Sequence, residues 1–313
     1  MRIAFLGTPD FALPSLEMLT ADGHELAVFT QPDRPRDRGQ GLAMPPVKEL
    51  ALSHGLPVYQ FDRIRSEEGV KALSDFAPDL MVTVAFGQIL SAENLAIPKY
   101  GCINVHGSLL PKYRGAAPIQ WAVINGERVT GVTTMMTELG LDSGDILMQC
   151  ATGIGENETA GELFDRLAIL GAELLRSTIR ALLDGTLTRT PQNEEEATKC
   201  GVIKKQMACI DFSMPAAKVH DFVRGMNPSP TAFTLLDGAK IKICRTQLTE
   251  GLDAEFQNAV PGECVIADSR RGLFVKCGEG VIEVAELQFA GSRRMEAKAA
   301  LNSHKLLGRI FGA

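Results

Sequence analysis

The sequence has no pair of cysteines at the spacing of a metal site. Its 7 cysteines are scattered through 313 residues, and no CxxC or CxxH motif occurs among them. An odd number of cysteines also resists complete pairing into disulfides. We therefore expect no thiolate metal centre and no metal, in a chain that stays reduced in the cytoplasm.

Long apolar runs are missing as well. No window approaches the roughly 20 apolar residues of a transmembrane helix, and the N-terminal stretch MRIAFLGTPDF is too short to be a signal peptide. The hydrophobic content of 45% and the charged content of 22% are those of an ordinary globular protein. These features predict a cytoplasmic protein without a membrane partner, and the length favours two domains.

The glycine fingerprint of dinucleotide-binding proteins is also absent. Residues 2–6 and 26–30 read as strands on either side of a helical segment, which is the opening βαβ unit of a doubly wound, mostly parallel Rossmann-like sheet. The first turn, GTPDF, lacks the second and third glycines of the fingerprint. A nucleotide-dependent oxidoreductase is thus the disfavoured alternative.

A polar pair interrupts the apolar pattern in the stretch GCINVHGSLLPKYRG. Asn104 and His106 are two residues apart on a predicted strand end, and alternation places both on one face. Gly107 and Ser108 end the strand, and Pro111 keeps the following residues in a loop. The open end of such a strand is where α/β proteins place their chemistry, so this pair is the candidate centre.

Asp142 is the third candidate residue. It lies in the glycine-bounded stretch ELGLDSGD, whose backbone freedom lets it bend around a flat polar ligand. Beside His106 its carboxylate would orient the imidazole and favour the charged form. A lone aspartate in such a loop is more often a turn residue. Only its combination with Asn104 and His106 makes Asp142 a catalytic candidate.

The second half of the chain has a different pattern. A polar stretch without periodicity follows the helical segment 159–183, and about five short strands with glycine turns come after it. These strands predict a small antiparallel barrel. We expect an α/β domain at 1–188, a linker at 189–207 and a barrel domain at 208–313.

Basic residues suggest an anionic partner. Arg34, Arg36 and Arg38 lie in a proline-rich loop and suit phosphate contacts, although a solvated loop is an equally good interpretation. Small barrels often bind oligonucleotides, and the candidate backbone contacts there are Lys204, Lys205, Arg293 and Arg294. A non-catalytic RNA-binding protein is a further alternative, but it has no use for the polar pair.

The motif INVHGSLLPKYRGAAPIQ followed by LDSGD resembles the signature of the 10-formyltetrahydrofolate-dependent formyltransferases. The resemblance extends to RIAFLGTPDFA, QPDRPRDRGQ, PGECVIA and LQFAGSRRM, which is nearly the whole chain. These motifs in this order are specific, whereas an isolated NxH is not. The resemblance implies a Rossmann-like catalytic domain and a smaller C-terminal OB-like β-barrel.

The resemblance also implies roles for individual residues. The implied catalytic residues are Asn104, His106 and Asp142. The implied folate-binding residues are Phe86, Gly87, Gln88, Ile89, Leu90, Ser108, Leu109, Leu110, Pro111, Glu138, Leu139, Gly140 and Leu141. Arg38 matches a tRNA-contacting position, while Val202 and Phe212 depart from the lysine and tryptophan usual in the family.

The implied activity is transfer of a formyl group from 10-formyltetrahydrofolate, the co-substrate, to the α-amino group of initiator methionyl-tRNA. The product would be N-formylmethionyl-tRNA for translation initiation, made by a monomer. The alternative within the family is a formyltransferase that acts on an amino-sugar nucleotide or another small amine. The basic residues favour tRNA.

Overall fold

The structure is a computed structural model that describes residues 1–35 and 41–312. Arg36 and Arg38 of the predicted phosphate-binding loop lie outside the described residues. The strands up to residue 200 are β1 (Arg2–Gly7), β2 (Glu25–Thr30), β3 (Arg34–Pro35), β4 (Leu42–Ala43), β5 (Val58–Gln60), β6 (Leu80–Val84), β7 (Cys102–His106), β8 (Arg114–Gly115), β9 (Val129–Met136), β10 (Ile146–Gly153) and β11 (Lys199–Cys200). The helices of this part are α1 (Leu13–Ala21), α2 (Pro46–Ser53), α3 (Glu67–Phe76), α4 (Ala92–Ala96), α5 (Pro118–Ile124) and α6 (Ala160–Leu183).

The remainder of the chain adds a helix, a set of longer strands and a short last helix. Its elements are α7 (Ala216–Gly225), β12 (Phe233–Leu236), β13 (Ala239–Leu248), β14 (Cys264–Asp268), β15 (Gly272–Lys276), β16 (Val281–Phe289), β17 (Met295–Glu296) and α8 (Ala297–Ala300). No helix among the described residues is both long and apolar enough to cross a membrane.

The chain forms two compact units that do not follow strict chain order. The first consists of residues 1–116, 130–152 and 164–200, and the second of residues 117–129, 153–163 and 201–313. The domain boundaries expected from the sequence, at 188 and 207, stay a prediction.

The first unit is built on a seven-stranded sheet in the order β10-β9-β7-β6-β1-β2-β5. Strands β5, β2, β1, β6 and β7 run parallel to their neighbours, while β9 runs antiparallel to β7. All five residues of β6 are buried, as expected for a central strand covered on both faces. The predicted Rossmann-like, mostly parallel sheet is therefore confirmed.

Helix α3 covers part of one sheet face and shows why these elements form. Ser66 caps its N-terminus by accepting a hydrogen bond from the Gly69 N–H at 3.3 Å. Its buried Leu73 packs in one cluster with Leu6, Phe29 and Met81 from three strands. The apolar stripe of the helix and the apolar run of each strand thus bury one another.

The second unit contains an antiparallel sheet in the order β12-β13-β16-β15-β14, with β17 paired to β16. Its core gathers apolar residues of α7 and of the strands, among them Val219, Ile243 and Val275. The predicted antiparallel C-terminal β domain is confirmed. Phe212, the departure from the family tryptophan, is buried against Phe311 with ring centroids 6.1 Å apart, whereas Val202 is exposed.

The central strand β1 gives a test of this packing. Phe5 is fully buried, so Phe5→Ala should lower the free energy of unfolding of the first unit by about 3–5 kcal/mol, through lost burial and the cavity left behind. Urea denaturation followed by circular dichroism measures this change. Leu52→Ala on the exposed face of α2 is the control, and an equal cost for both variants would contradict the packing described here.

Candidate active site

Asn104 is oriented by the neighbouring strand. Thr83 of β6 stands directly opposite Asn104 of β7 in the sheet register, and its hydroxyl donates a hydrogen bond to Asn104 Oδ1 at 3.0 Å. The amide NH2 of Asn104 makes no hydrogen bond within residues 1–35 and 41–312. Because its oxygen is occupied, the amide presents hydrogen-bond donors rather than an acceptor.

His106 lies between two acceptors. Its side chain is only 7% exposed, its Nε2–H donates to the Tyr113 carbonyl oxygen at 2.9 Å, and its Nδ1 faces Asp142 Oδ2 at 3.7 Å. A neutral imidazole donates from one nitrogen only, whereas the imidazolium donates from both. An acceptor beside each nitrogen therefore fixes the orientation of the ring.

A hydrogen bond from a main-chain N–H holds the Asp142 carboxylate near the imidazole. It lies in the loop between β9 and β10 with a φ of +47°, in the left-handed region that residues other than glycine rarely adopt. Its Oδ2 accepts a hydrogen bond from the Gly115 N–H at 2.8 Å. The 138–145 loop and the loop after β7 are thus joined at the carboxylate.

The loop after β7 is held by its own hydrogen bonds. The buried Ser108 hydroxyl donates to the Lys112 carbonyl oxygen at 2.6 Å, and Tyr113 takes a φ of +59°. These contacts aim the Tyr113 carbonyl at His106 and leave the Gly115 N–H pointing at Asp142. Three groups that the sequence analysis did not single out, Thr83, Tyr113 O and Gly115 N–H, therefore fix the three that it did.

Only Thr83 left a signal in the sequence. It is the one polar residue within the apolar run LMVTV, at the place where a hydroxyl could meet the residue on the next strand. The roles of Tyr113 and Gly115 come from their main-chain groups, and a sequence pattern does not report on main-chain direction in a loop.

The segment 86–90 is divided between core and surface. Phe86 and Leu90 are buried in a core cluster, and the side chain of Gln88 accepts from Ile64 N–H at 2.6 Å. Ile89 is 72% exposed. Any ligand contact from Phe86, Gln88 or Leu90 would therefore rely mainly on main-chain atoms.

The other predicted folate-binding residues divide in the same way. Ser108 and Leu110 are buried, with Leu109 and Pro111 half-buried. By contrast, the whole stretch from Glu138 to Leu141 is exposed, and the apolar Leu139 and Leu141 are 72% and 58% exposed. Exposed leucines in a loop that carries a predicted catalytic acid offer an apolar surface to a ligand.

Cys102, two residues before Asn104, is not a nucleophile. It is buried in the core, and burial raises the pKa of its thiol to about 11. A thiol with such a pKa stays protonated near neutral pH, and the thiolate is the reactive form. The described part of the chain also holds no group of three or more metal-ligating side chains close together.

The predicted tRNA-binding residues lie on the surface where they are described. Lys204, Lys205 and Arg293 are exposed. Arg34 donates to the Gln31 side chain, and Arg294 forms an ion pair with Glu286. Lys204, Lys205 and Arg293 are therefore the better candidates for contacts with an external anion.

Comparisons with known proteins agree along the whole chain. The model of the formyl transferase family matches residues 1–179, and that of the formyl transferase C-terminal domain matches residues 202–305. The chain is 50% identical over 314 residues to the methionyl-tRNA formyltransferase of Acetivibrio thermocellus, with 100% of both chains covered. It is 47% identical over 307 residues to that of Ruminiclostridium cellulolyticum, with 98% and 97% covered.

A solved structure shares the fold. A sugar 3N-formyl transferase crystallised in the presence of dTDP and 5-N-formyl-THF superposes with a TM-score of 0.67 at 18% identity, covering 94% of this chain and 99% of that one. At this level of identity the similarity concerns the fold alone.

The close approach of Gly115 to the Cys200 main chain yields a prediction about stability, which can be tested without an activity assay. Gly115 has a φ of +121°, and a Cβ there would lie 2.2 Å from the Cys200 carbonyl oxygen. Gly115→Ala should therefore lower the free energy of unfolding by about 1–3 kcal/mol from backbone strain alone, with the clash adding to it. Gly185→Ala, with a φ of +67° and nothing within 4 Å, is the control in urea denaturation. Equal losses in the two variants would show that the contact with Cys200 is not tight.

Proposed function

Because the chain belongs to the formyl transferase family, we propose that it transfers a formyl group from 10-formyltetrahydrofolate to the α-amino group of methionyl-tRNA. The observation that carries this proposal is full-length identity of 50% and 47% to methionyl-tRNA formyltransferases. The product is N-formylmethionyl-tRNA, made in the cytoplasm for translation initiation.

The residues present fit a folate donor. Ile89, Leu139 and Leu141 are large apolar side chains left exposed on the two loops that the family resemblance assigns to the folate. A flat aromatic ring system gains from burial against such side chains. When bound, the folate supplies the formyl carbon that the amine attacks.

Asn104 and His106 stabilise the negative charge that develops on the formyl oxygen. The Asn104 amide has its oxygen bound to Thr83, which leaves the NH2 as the donor. The His106 imidazolium adds positive charge beside it, in an orientation fixed by the bond from its Nε2–H to the Tyr113 carbonyl oxygen. One preorganised donor of this kind contributes typically about 3 kcal/mol to transition-state stabilisation.

Asp142 is the general base in this proposal. The attacking amine loses a proton as it bonds to the formyl carbon, and the Asp142 carboxylate takes that proton directly or through water. The proton then passes toward N10 of the folate, so that the bond between the formyl carbon and N10 breaks and tetrahydrofolate leaves as the neutral amine. Its Oδ2 also faces His106 Nδ1 at 3.7 Å and thus holds the imidazolium in place. One carboxylate serves both purposes because it sits between the two loops.

Two substitutions test this assignment. We expect Asp142→Asn and His106→Ala each to lower kcat for formylation of methionyl-tRNA by at least about 100-fold, the range for losing acid–base or oxyanion catalysis. The measurement is transfer of labelled formyl from the folate donor, with circular dichroism to establish folding.

The control uses the second acid of the same loop. Asp145→Asn removes a negative charge three residues away and should leave kcat within about 2-fold, because the carboxylate that faces His106 and accepts from the Gly115 N–H is that of Asp142. Near wild-type rates for Asp142→Asn would refute the assigned chemistry. Faster transfer to a UDP-amino sugar than to methionyl-tRNA would refute the proposed substrate.

Two exposed lysines of the second unit, Lys204 and Lys205, serve as tRNA backbone contacts in this proposal. We expect Lys204→Ala combined with Lys205→Ala to raise KM for methionyl-tRNA without changing kcat. The salt dependence of log KM should weaken by about 1 unit of slope per lost phosphate contact.

The matched control is Lys71→Ala on helix α3, an exposed lysine already paired with Asp75. It should change neither KM nor the salt slope. If the double variant keeps the wild-type KM and slope across 50 to 200 mM salt, a range in which phosphate contacts change affinity by orders of magnitude, these two lysines do not contact tRNA.

A further inference from the structure

The polar segment 190–200 is expected from the sequence to be part of a linker. It makes hydrogen bonds with both the Asp142 loop and the loop after β7. At its start, Thr190 and Ile146 exchange two main-chain hydrogen bonds of 2.8 and 2.9 Å at the base of the Asp142 loop. At its end, the Thr198 side chain accepts from Tyr113 N–H at 2.8 Å. Strand β11 runs parallel to β8 in the same loop.

Gln192 is the side chain in this segment that reaches the Asp142 loop. Its Nε2 donates to the carbonyl oxygens of Asp142 at 2.8 Å and of Gly144 at 2.7 Å. Its Oε1 accepts from Arg114 Nε at 3.0 Å. All the polar groups of the Gln192 amide are thus engaged on the two loops that meet at the carboxylate.

Arg114 anchors the Gln192 amide. Its side chain is only 4% exposed, and its guanidinium forks onto the Glu194 carboxylate with contacts of 2.7 and 3.0 Å. Hydrogen bonding to Arg114 lowers the pKa of the Glu194 carboxyl. A buried guanidinium is costly unless it is paired, and Gln192 and Glu194 provide acceptors for all three of its nitrogens.

The Asp142 loop depends on such external support. Asp142 itself adopts a φ of +47°, and the residues from Glu138 to Leu141 before it are exposed. The loop has no regular structure between β9 and β10, so the position of the carboxylate relies on the Gly115 N–H at one side and on Gln192 at the other.

We propose that Gln192 is a positioning residue for the reaction: it holds the Asp142 main chain so that the carboxylate stays against His106. This inference rests on the proposed function. It assigns part of the expected linker to the catalytic centre, through the Gln192 contacts to the main chain of Asp142 and Gly144. Arg114 acts behind Gln192 as its anchor.

The test compares two glutamines with the same bonding pattern. Gln60 also donates from Nε2 to two oxygens, at 2.8 and 2.7 Å, and accepts from a cation, Lys48, at 2.8 Å. We expect Gln192→Met to lower kcat by about 10- to 100-fold with KM for both substrates nearly unchanged, because misplacement of a catalytic group by about 1 Å costs this much. Gln60→Met should lose similar hydrogen bonds without losing kcat.

A second variant separates misfolding from mispositioning. Gln192→Glu keeps an acceptor for Arg114 but turns a carboxylate oxygen against two carbonyl oxygens. It should fold, and it should lose kcat as Gln192→Met does. Wild-type kcat in either Gln192 variant would overturn the inference.

A double-mutant cycle shows whether Gln192 acts through Asp142. In the Asp142→Asn background, Gln192→Met should change the residual rate by less than about 2-fold, because the group it positions is already gone. Equal fold-losses in both backgrounds would overturn the inference, since Gln192 would then act independently of Asp142.

Hydrogen exchange keeps this inference separate from the proposed function. Gln192→Met should speed amide exchange in residues 137–145 and leave exchange around Gln60 unchanged, whatever the enzyme's substrate. If the wild-type protein does not formylate methionyl-tRNA, the proposed function fails while exchange still decides the role of Gln192. Unchanged exchange in that loop would overturn the Gln192 inference alone.

Discussion

The candidate active site depends on one hydrogen bond between two segments, from the Gly115 N–H to the Asp142 carboxylate at 2.8 Å. Gly115 ends the two-residue strand β8 and Asp142 lies in a loop without regular structure, and the bond places the Asp142 carboxylate 3.7 Å from His106 Nδ1. A main-chain donor is suited to this purpose because it has no rotamers of its own and moves only with its loop. The same loop turns the Tyr113 carbonyl to the other ring nitrogen, so both partners of the imidazole are set by the backbone of one segment.

The sheet performs the equivalent task for Asn104. Because β6 and β7 are parallel neighbours, Thr83 is directly opposite Asn104, and its hydroxyl donates a hydrogen bond to the amide oxygen. The rigid part of the fold thus decides which end of the amide faces outward, while the loops decide where the acid lies. In the proposed mechanism, the donors for the developing negative charge come from a strand end, and the proton acceptor comes from a loop that another segment holds.

The sequence predicted the features that arise from periodicity or local spacing. The apolar runs of β1 and β6 predicted a parallel sheet, and the NxH spacing predicted that Asn104 and His106 share a face. The meeting of His106 and Asp142 could be inferred only by combining motifs, since loop conformation determines it.

The segment 190–200 was interpreted as a linker because it is polar and aperiodic. Its order comes from side chains such as Gln192 that bond to distant main-chain groups, and such bonds leave no periodic signal.

The chain passes from the first unit to the second for the last time after Cys200. The two family models end at residue 179 and begin again at residue 202, and the stretch between them contains Gln192 and β11. The hydrogen bonds to the loop after β7 continue through Cys200, whose carbonyl accepts from Ala116 N–H, and the last stretch of the second unit begins at Gly201. Lys204 and Lys205, the proposed tRNA contacts, come only four and five residues after Cys200. The two lysines thus follow closely in the chain on β11, the strand that pairs with β8 next to Tyr113.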